Sequence, residues 1–153
     1  MNSVVCAIAL GSNLGDRQGH LEFALAALRQ GLTQLRASGF HETAPIDAPG
    51  PAFLNAAAVA ATDLSARQLL ALLMAIEAAR GRERPYACAP RTLDLDLILY
   101  GDAIIDGPDL VVPHPRFRGR RFVLAPLAEV APDLRDPVTE QTVAELLAGL
   151  GAG

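Results

Sequence analysis

The chain has 153 residues, 51% of them hydrophobic, with no Trp, five Phe and two Tyr, so it suits one domain spanning 1–153 whose core is filled mainly by Ala and Leu. A net charge of −4 argues against nucleic acid as the main partner. No apolar run approaches the roughly 20 residues of a membrane span, and Met1-Asn2-Ser3-Val4 lacks a signal peptide's basic region, so a cytoplasmic protein with no membrane partner is expected.

Val4–Leu10 reads as a buried strand that ends at Gly11-Ser12-Asn13. Cys6, within it, reads as an inert core thiol, and with Cys88 it makes no disulfide framework. A helix capped by Asn13 or Asp16 then runs through Leu21, Leu25 and Leu28 to Arg29. Gly-Ser-Asn after a strand invites a phosphate-loop reading. The G-x-x-x-x-G-K-[ST] and G-x-G-x-x-G spacings are both absent, so a turn with a helix cap is expected there. Leu32–Thr43 contains a second strand, and the following segment is stiffened by Pro45, Pro49 and Pro51. Phe53–Thr62 is a third strand.

Ser65 and Gln68 form a capping box that opens a helix to Arg80, with an apolar stripe of Leu69, Leu70, Leu72, Leu73 and Ile76. Glu77, near the helix end, sits against the dipole, which points either to another duty or to an exposed turn. Gly81–Arg91 reads as an arginine-bearing loop, expected to be mobile because it is polar and flanked by Gly81 and Pro90. Tyr100-Gly101-Asp102 is a turn; Ile104-Ile105 and Leu110–Val112 offer short strands. Pro113–Gly119 is a second basic loop, and Arg121–Val130 and Thr142–Leu147 read as helices. The order strand, helix, strand, strand, helix, strand predicts a ferredoxin-like α/β sandwich.

The most informative run is Arg91-Thr92-Leu93-Asp94-Leu95-Asp96-Leu97-Ile98. Strict alternation places Leu93, Leu95, Leu97 and Leu99 on one face of a strand, with Asp94, Asp96 and Ile98 on the other. The two carboxylates then point the same way, roughly 7 Å apart at their roots. Asp is disfavoured in strands, and like charges held together need something positive between them. Mg²⁺ answers that need, since it takes one or two carboxylates and completes its shell with water and phosphate. The competing reading is an edge strand with a solvated acidic face.

All 13 basic residues are Arg, and eight of them fall between Arg80 and Arg121. A genome that favours Arg codons accounts for the missing Lys but not for the clustering. Arg presents a planar fork suited to phosphate, so an Arg field beside two Asp fits a metal-bound polyphosphate.

Four motifs then occur in order: Gly11-Ser12-Asn13-Leu14-Gly15-Asp16, Phe53-Leu54-Asn55-Ala56, Pro90-Arg91-Thr92-Leu93-Asp94-Leu95-Asp96 and Val112-Pro113-His114-Pro115. Together they make the chain resemble the 6-hydroxymethyl-7,8-dihydropterin pyrophosphokinases of folate biosynthesis, from Val4 to about Asp133. The resemblance implies a three-layer α/β/α sandwich around a mixed, mainly antiparallel sheet. It also implies transfer of pyrophosphate from ATP to the pterin hydroxymethyl group with release of AMP, by a monomer that uses two Mg²⁺ ions.

By the resemblance, Asp94 and Asp96 hold the metal, and Arg82 and Arg91 act on the phosphates as catalytic residues. Arg84, Arg91, His114 and Arg120 match ATP contacts, and Leu70, Glu77 and the backbone at Leu97 match the adenosine site. Leu70 reads equally well as core, and His114 by itself as an ordinary surface histidine. Thr43, Ala44, Ile46, Phe53, Asn55 and Phe122 match the pterin site, with the two Phe sandwiching the ring. Arg116, Arg118 and Arg121 are left as solvated charges. Ala87 and Cys88 stand where the family often has a basic residue and an Asn or aromatic. That departure keeps open a pterin- and nucleotide-binding member with weakened catalysis.

Overall fold

The computed structural model describes residues 3–43, 52–80 and 93–150. In chain order the elements are β1 (Val4–Ser12), α1 (Arg17–Gly31), β2 (Thr33–Ala37), β3 (His41–Thr43), β4 (Phe53–Thr62), α2 (Ala66–Ala79), β5 (Asp94–Tyr100), β6 (Ile105–Asp106), β7 (Val111–Val112), α3 (Arg121–Val130) and α4 (Val143–Gly149). The main sheet runs β2-β4-β1-β5, and β3 adds to β4 beside β2. Every pairing in it is antiparallel. The expected strand over Leu32–Thr43 is thus two short strands, which pair with opposite ends of β4.

Helices cover both faces of this sheet, as a three-layer sandwich requires. Cys6, Ile8 and Leu10 pack with Leu21, Leu28, Leu69 and Leu73 of α1 and α2. Ala7, Ala9 and Ala57 pack with the larger Phe117, Leu124, Leu127 and Leu146 on the α3 and α4 side. Because β1 and β4 are covered on both faces, they read as near-continuous apolar runs rather than alternating strands. Burial pushes the Cys6 thiol up to about 11, as an inert core residue requires. No helix among the described residues is long and apolar enough to cross a membrane.

Local chemistry sets the helix starts. Asp16, not Asn13, caps α1 by accepting the Gly19 N–H at 3.0 Å. Ser65 and Gln68 complete the capping box of α2, and Thr142 with Glu145 builds another on α4; such a cap contributes about 1 kcal/mol.

Strict alternation along β5 fails at one point. Ala7 pairs with Leu99 but Ile8 pairs with Leu97, so Ile98 is an extra residue in a β-bulge. Leu93, Leu95 and Leu97 face α1 and α2 as expected, whereas Leu99 turns with Ile98 toward α3 and α4. The bulge comes after the Asp pair, so Asp94 and Asp96 keep a common face.

Candidate active site

The Asp pair leads to the site. Asp96 pairs with Ala9 and Asp94 with Gly11 on β1, and Gly11 pairs in turn with Asn55 on β4. Adjacent strands therefore place the two carboxylates and the Asn55 amide on one sheet face. That face forms the floor of a cavity of about 730 Å³, roofed by the first turns of α3. Thr43, Phe53, Asn55, Asp94, Asp96, Arg120 and Phe122 all line it. Seven residues from four separate stretches of the sequence thus meet at one cavity.

Each wall is held by identifiable contacts. Asn55 is buried, and its amide nitrogen donates to the Thr43 hydroxyl at 2.7 Å. This contact orients the amide, since Thr43 occupies one of its donors. Gly11 leaves the room that Asn55 needs, because a Cβ there would stand 3.2 Å from Asn55 Oδ1 and 3.8 Å from the Phe53 ring. On the other wall the Arg120 guanidinium lies 5.5 Å from the centre of the Phe122 ring, within cation–π range. Pro126, inside α3, cannot donate to the Phe122 carbonyl, and both residues line the cavity.

His114, in the second basic loop, does not line the cavity but lies within electrostatic reach of Asp94 and Arg120, which do. Its backbone N–H donates to the Ile98 carbonyl at 3.0 Å, which ties the loop to β5 beside the bulge. Its Nδ1 accepts the Arg116 N–H at 3.1 Å, so the neutral ring carries its proton on Nε2. Burial lowers its pKa, and the charges of Arg120 and Arg116 add to this against the opposing influence of Asp94. The lowered pKa favours the uncharged ring, with Nε2–H as its donor.

The adenosine candidates lie elsewhere. Leu97 is buried among the α1 and α2 packing, and Leu70 packs partly against the same cluster. Glu77 is buried rather than in an exposed turn, and its carboxylate accepts the Leu95 N–H at 2.8 Å. A charged residue near the end of α2 thus satisfies a backbone donor of β5. None of the three lines the cavity. Arg82, Arg84, Arg91, Ala44 and Ile46, like Ala87, Cys88 and the expected mobile loop, lie outside the described residues.

Two arginines read as solvated have structural company. Arg118 forms a two-pronged ion pair with Asp136 and lies over the Phe117 ring. Arg121 lines the cavity rim, as do His41 and Glu42. His41 was legible in principle, since it sits two residues before Thr43 and so shares its strand face.

The model of the 7,8-dihydro-6-hydroxymethylpterin-pyrophosphokinase family matches residues 7–132. A 2-amino-4-hydroxy-6-hydroxymethyldihydropteridine pyrophosphokinase from Bacillus subtilis is 42% identical over 142 residues, covering 91% of this chain and 84% of that protein. Its counterpart from Synechocystis is 40% identical over 142 residues, covering 92% and 73%. Among solved structures, Plasmodium falciparum HPPK-DHPS with pteroate superposes with a TM-score of 0.78 over 97% of this chain. At 16% identity that likeness shows the fold alone, and this chain spans 42% of that longer one.

Proposed function

The chain belongs to the 7,8-dihydro-6-hydroxymethylpterin-pyrophosphokinase family, and from that membership we propose that it is a Mg²⁺-dependent enzyme of folate biosynthesis. It transfers the β,γ-pyrophosphate of ATP to the hydroxymethyl group of 6-hydroxymethyl-7,8-dihydropterin and releases AMP, acting as a single-domain cytoplasmic monomer. The observation that carries this reading is the single cavity where Asp94 and Asp96 meet Arg120, Phe53, Asn55 and Phe122.

The residues present fit the metal. Asp94 and Asp96 offer hard oxygen donors on one strand face, and no group of three or more His, Cys, Asp or Glu among the described residues forms a closed cage. Such a sparse donor set suits Mg²⁺, which leaves most of its shell to water and phosphate. When bound there, Mg²⁺ supplies charge neutralisation on the phosphates and acidifies the attacking alcohol.

The chain's own groups do the rest. Phe53 and Phe122 give the flat pterin two aromatic surfaces, and Asn55 offers a donor and an acceptor to its edge. Arg120, which lines the cavity, and the Nε2–H of nearby His114 bear on phosphate oxygens, and Arg121, also in the lining, adds positive charge. Arg82, Arg84 and Arg91 belong to this phosphate set by the family motif, and Ala44 and Ile46 to the pterin edge. Leu70, Glu77 and Leu97 keep their proposed place at adenosine, on the α2 side of β5.

The direct test is AMP release from ATP and Mg²⁺ with and without the pterin alcohol. Pterin-dependent AMP without ADP is the expected result. Pterin binding with no AMP would make the chain a binding member that has lost its chemistry. Within an active enzyme, Asn55→Ala is expected to raise the pterin KM by about 10- to 100-fold with little change in the ATP KM, because a buried polar pairing is lost. Steady-state kinetics with each substrate varied checks this.

A further inference from the structure

The cavity has a fastening outside the groups that the reaction needs. Along α3, Phe122, Ala125 and Pro126 line the cavity, and Glu129 continues that stripe at the next i+7 position. Its carboxylate makes two contacts at the start of β3, one just before the strand and one with its first residue. One oxygen accepts the Gly39 N–H at 3.0 Å, and the other pairs with Nε2 of His41. A carboxylate in the last turn of a helix opposes the macrodipole, so these partners offset an unfavourable placement.

The other end of this contact matters for the substrate. His41 lines the cavity and pairs in register with Asn55, while Thr43, on the same strand face, holds the Asn55 amide. β3 joins the sheet through three residue pairs, His41–Asn55, Glu42–Leu54 and Thr43–Phe53. The Glu129 carboxylate thus fastens the helix that carries Phe122 to the strand that orients Asn55.

We propose that Glu129 and His41 are positioning residues for the pterin, a clasp that sets the gap between the α3 wall and the β3–β4 wall of the slot. The proposal rests on the pterin reading of the cavity given above. Both side chains are partly exposed, at 43% and 32%, so their replacement leaves the buried core intact.

The experiment compares Glu129→Ala, His41→Ala and His41→Gln with the unaltered protein. Pterin affinity is read by pterin fluorescence in the presence of Mg²⁺ and a non-hydrolysable ATP analogue. KM for each substrate and the melting temperature are read alongside. Both Ala variants are expected to weaken pterin binding at least about five-fold, with the ATP KM and melting temperature unchanged. His41→Gln, which keeps a donor for Glu129, is expected to recover most of the loss. Pterin affinity within two-fold of the unaltered protein in both Ala variants overturns the clasp alone. So does a loss that affects both substrates equally. An unaltered protein that binds no pterin overturns the pterin reading and the clasp with it.

Discussion

Asp94→Asn and Asp96→Asn are each expected to lower turnover by more than about 100-fold while pterin binding stays near normal. The substitution keeps side-chain size and removes one negative charge, so it tests the charge and not the packing. A 100-fold loss corresponds to about 2.7 kcal/mol of transition-state stabilisation, a modest demand on a ligand to a metal that neutralises phosphate. Both residues line the cavity, and they pair with Gly11 and Ala9 on β1. The groups proposed to hold the pterin, Phe53, Asn55 and Phe122, stand on other elements. Rate and pterin affinity should therefore separate. Higher Mg²⁺ is expected to restore part of the lost rate, since the variants retain one carboxylate. Near-normal turnover in both variants would remove the metal assignment.

Asp136→Ala is expected to destabilise the fold by about 3 kcal/mol, the usual consequence of removing one partner from a buried ion pair. For a chain of this size that lowers the melting temperature by about 6 to 12 °C. Asp136 is fully buried and accepts from Arg118 Nε at 2.5 Å, Arg118 Nη2 at 3.0 Å, the Val138 N–H at 3.0 Å and the Thr139 hydroxyl at 2.7 Å. Burial alone would push its carboxyl up, but these donors outweigh it and hold the pKa down to about 2. A lowered carboxylate pKa stabilises the fold above the ordinary value near 4 and ceases to do so as pH falls through 2. The stability gap between the unaltered protein and the variant should therefore close by about 2 kcal/mol between pH 5 and pH 2. Thermal unfolding across that range measures it, and a gap independent of pH would show that ionisation of Asp136 is not the source. The same ion pair anchors the loop that runs on to Arg120, so the nucleotide KM should rise in the variant as well.

Local signals in the chain were strong wherever backbone chemistry is local. Ser65 with Gln68 marked the start of α2, and the limits of β4 and α3 could be read from residue pattern. The spacing of Asp94 and Asp96 put both on one strand face, because strand periodicity is a property of neighbouring residues. Charge alone did not distinguish the arginines. Arg118 and Arg121 look alike in sequence, yet one is bound to a buried carboxylate 18 residues away and the other stands at the cavity rim. Glu77 was ambiguous for the same reason, since its partner is the Leu95 backbone on another element.

The paired carboxylates, the family motifs and the element order apart from the division of β2 from β3 are legible in the chain itself. Which side chains share the cavity is set by tertiary packing. Antiparallel pairing brings Asp94 opposite Gly11 and Asn55 opposite His41, and α3 then brings Phe122 and Glu129 over them. The bulge at Ile98, which turns Leu99 to the other face, belongs to the same class. Periodicity and capping act over a few residues and leave a mark in the sequence. Register and packing between distant strands and helices depend on the whole sheet, and no local pattern records them.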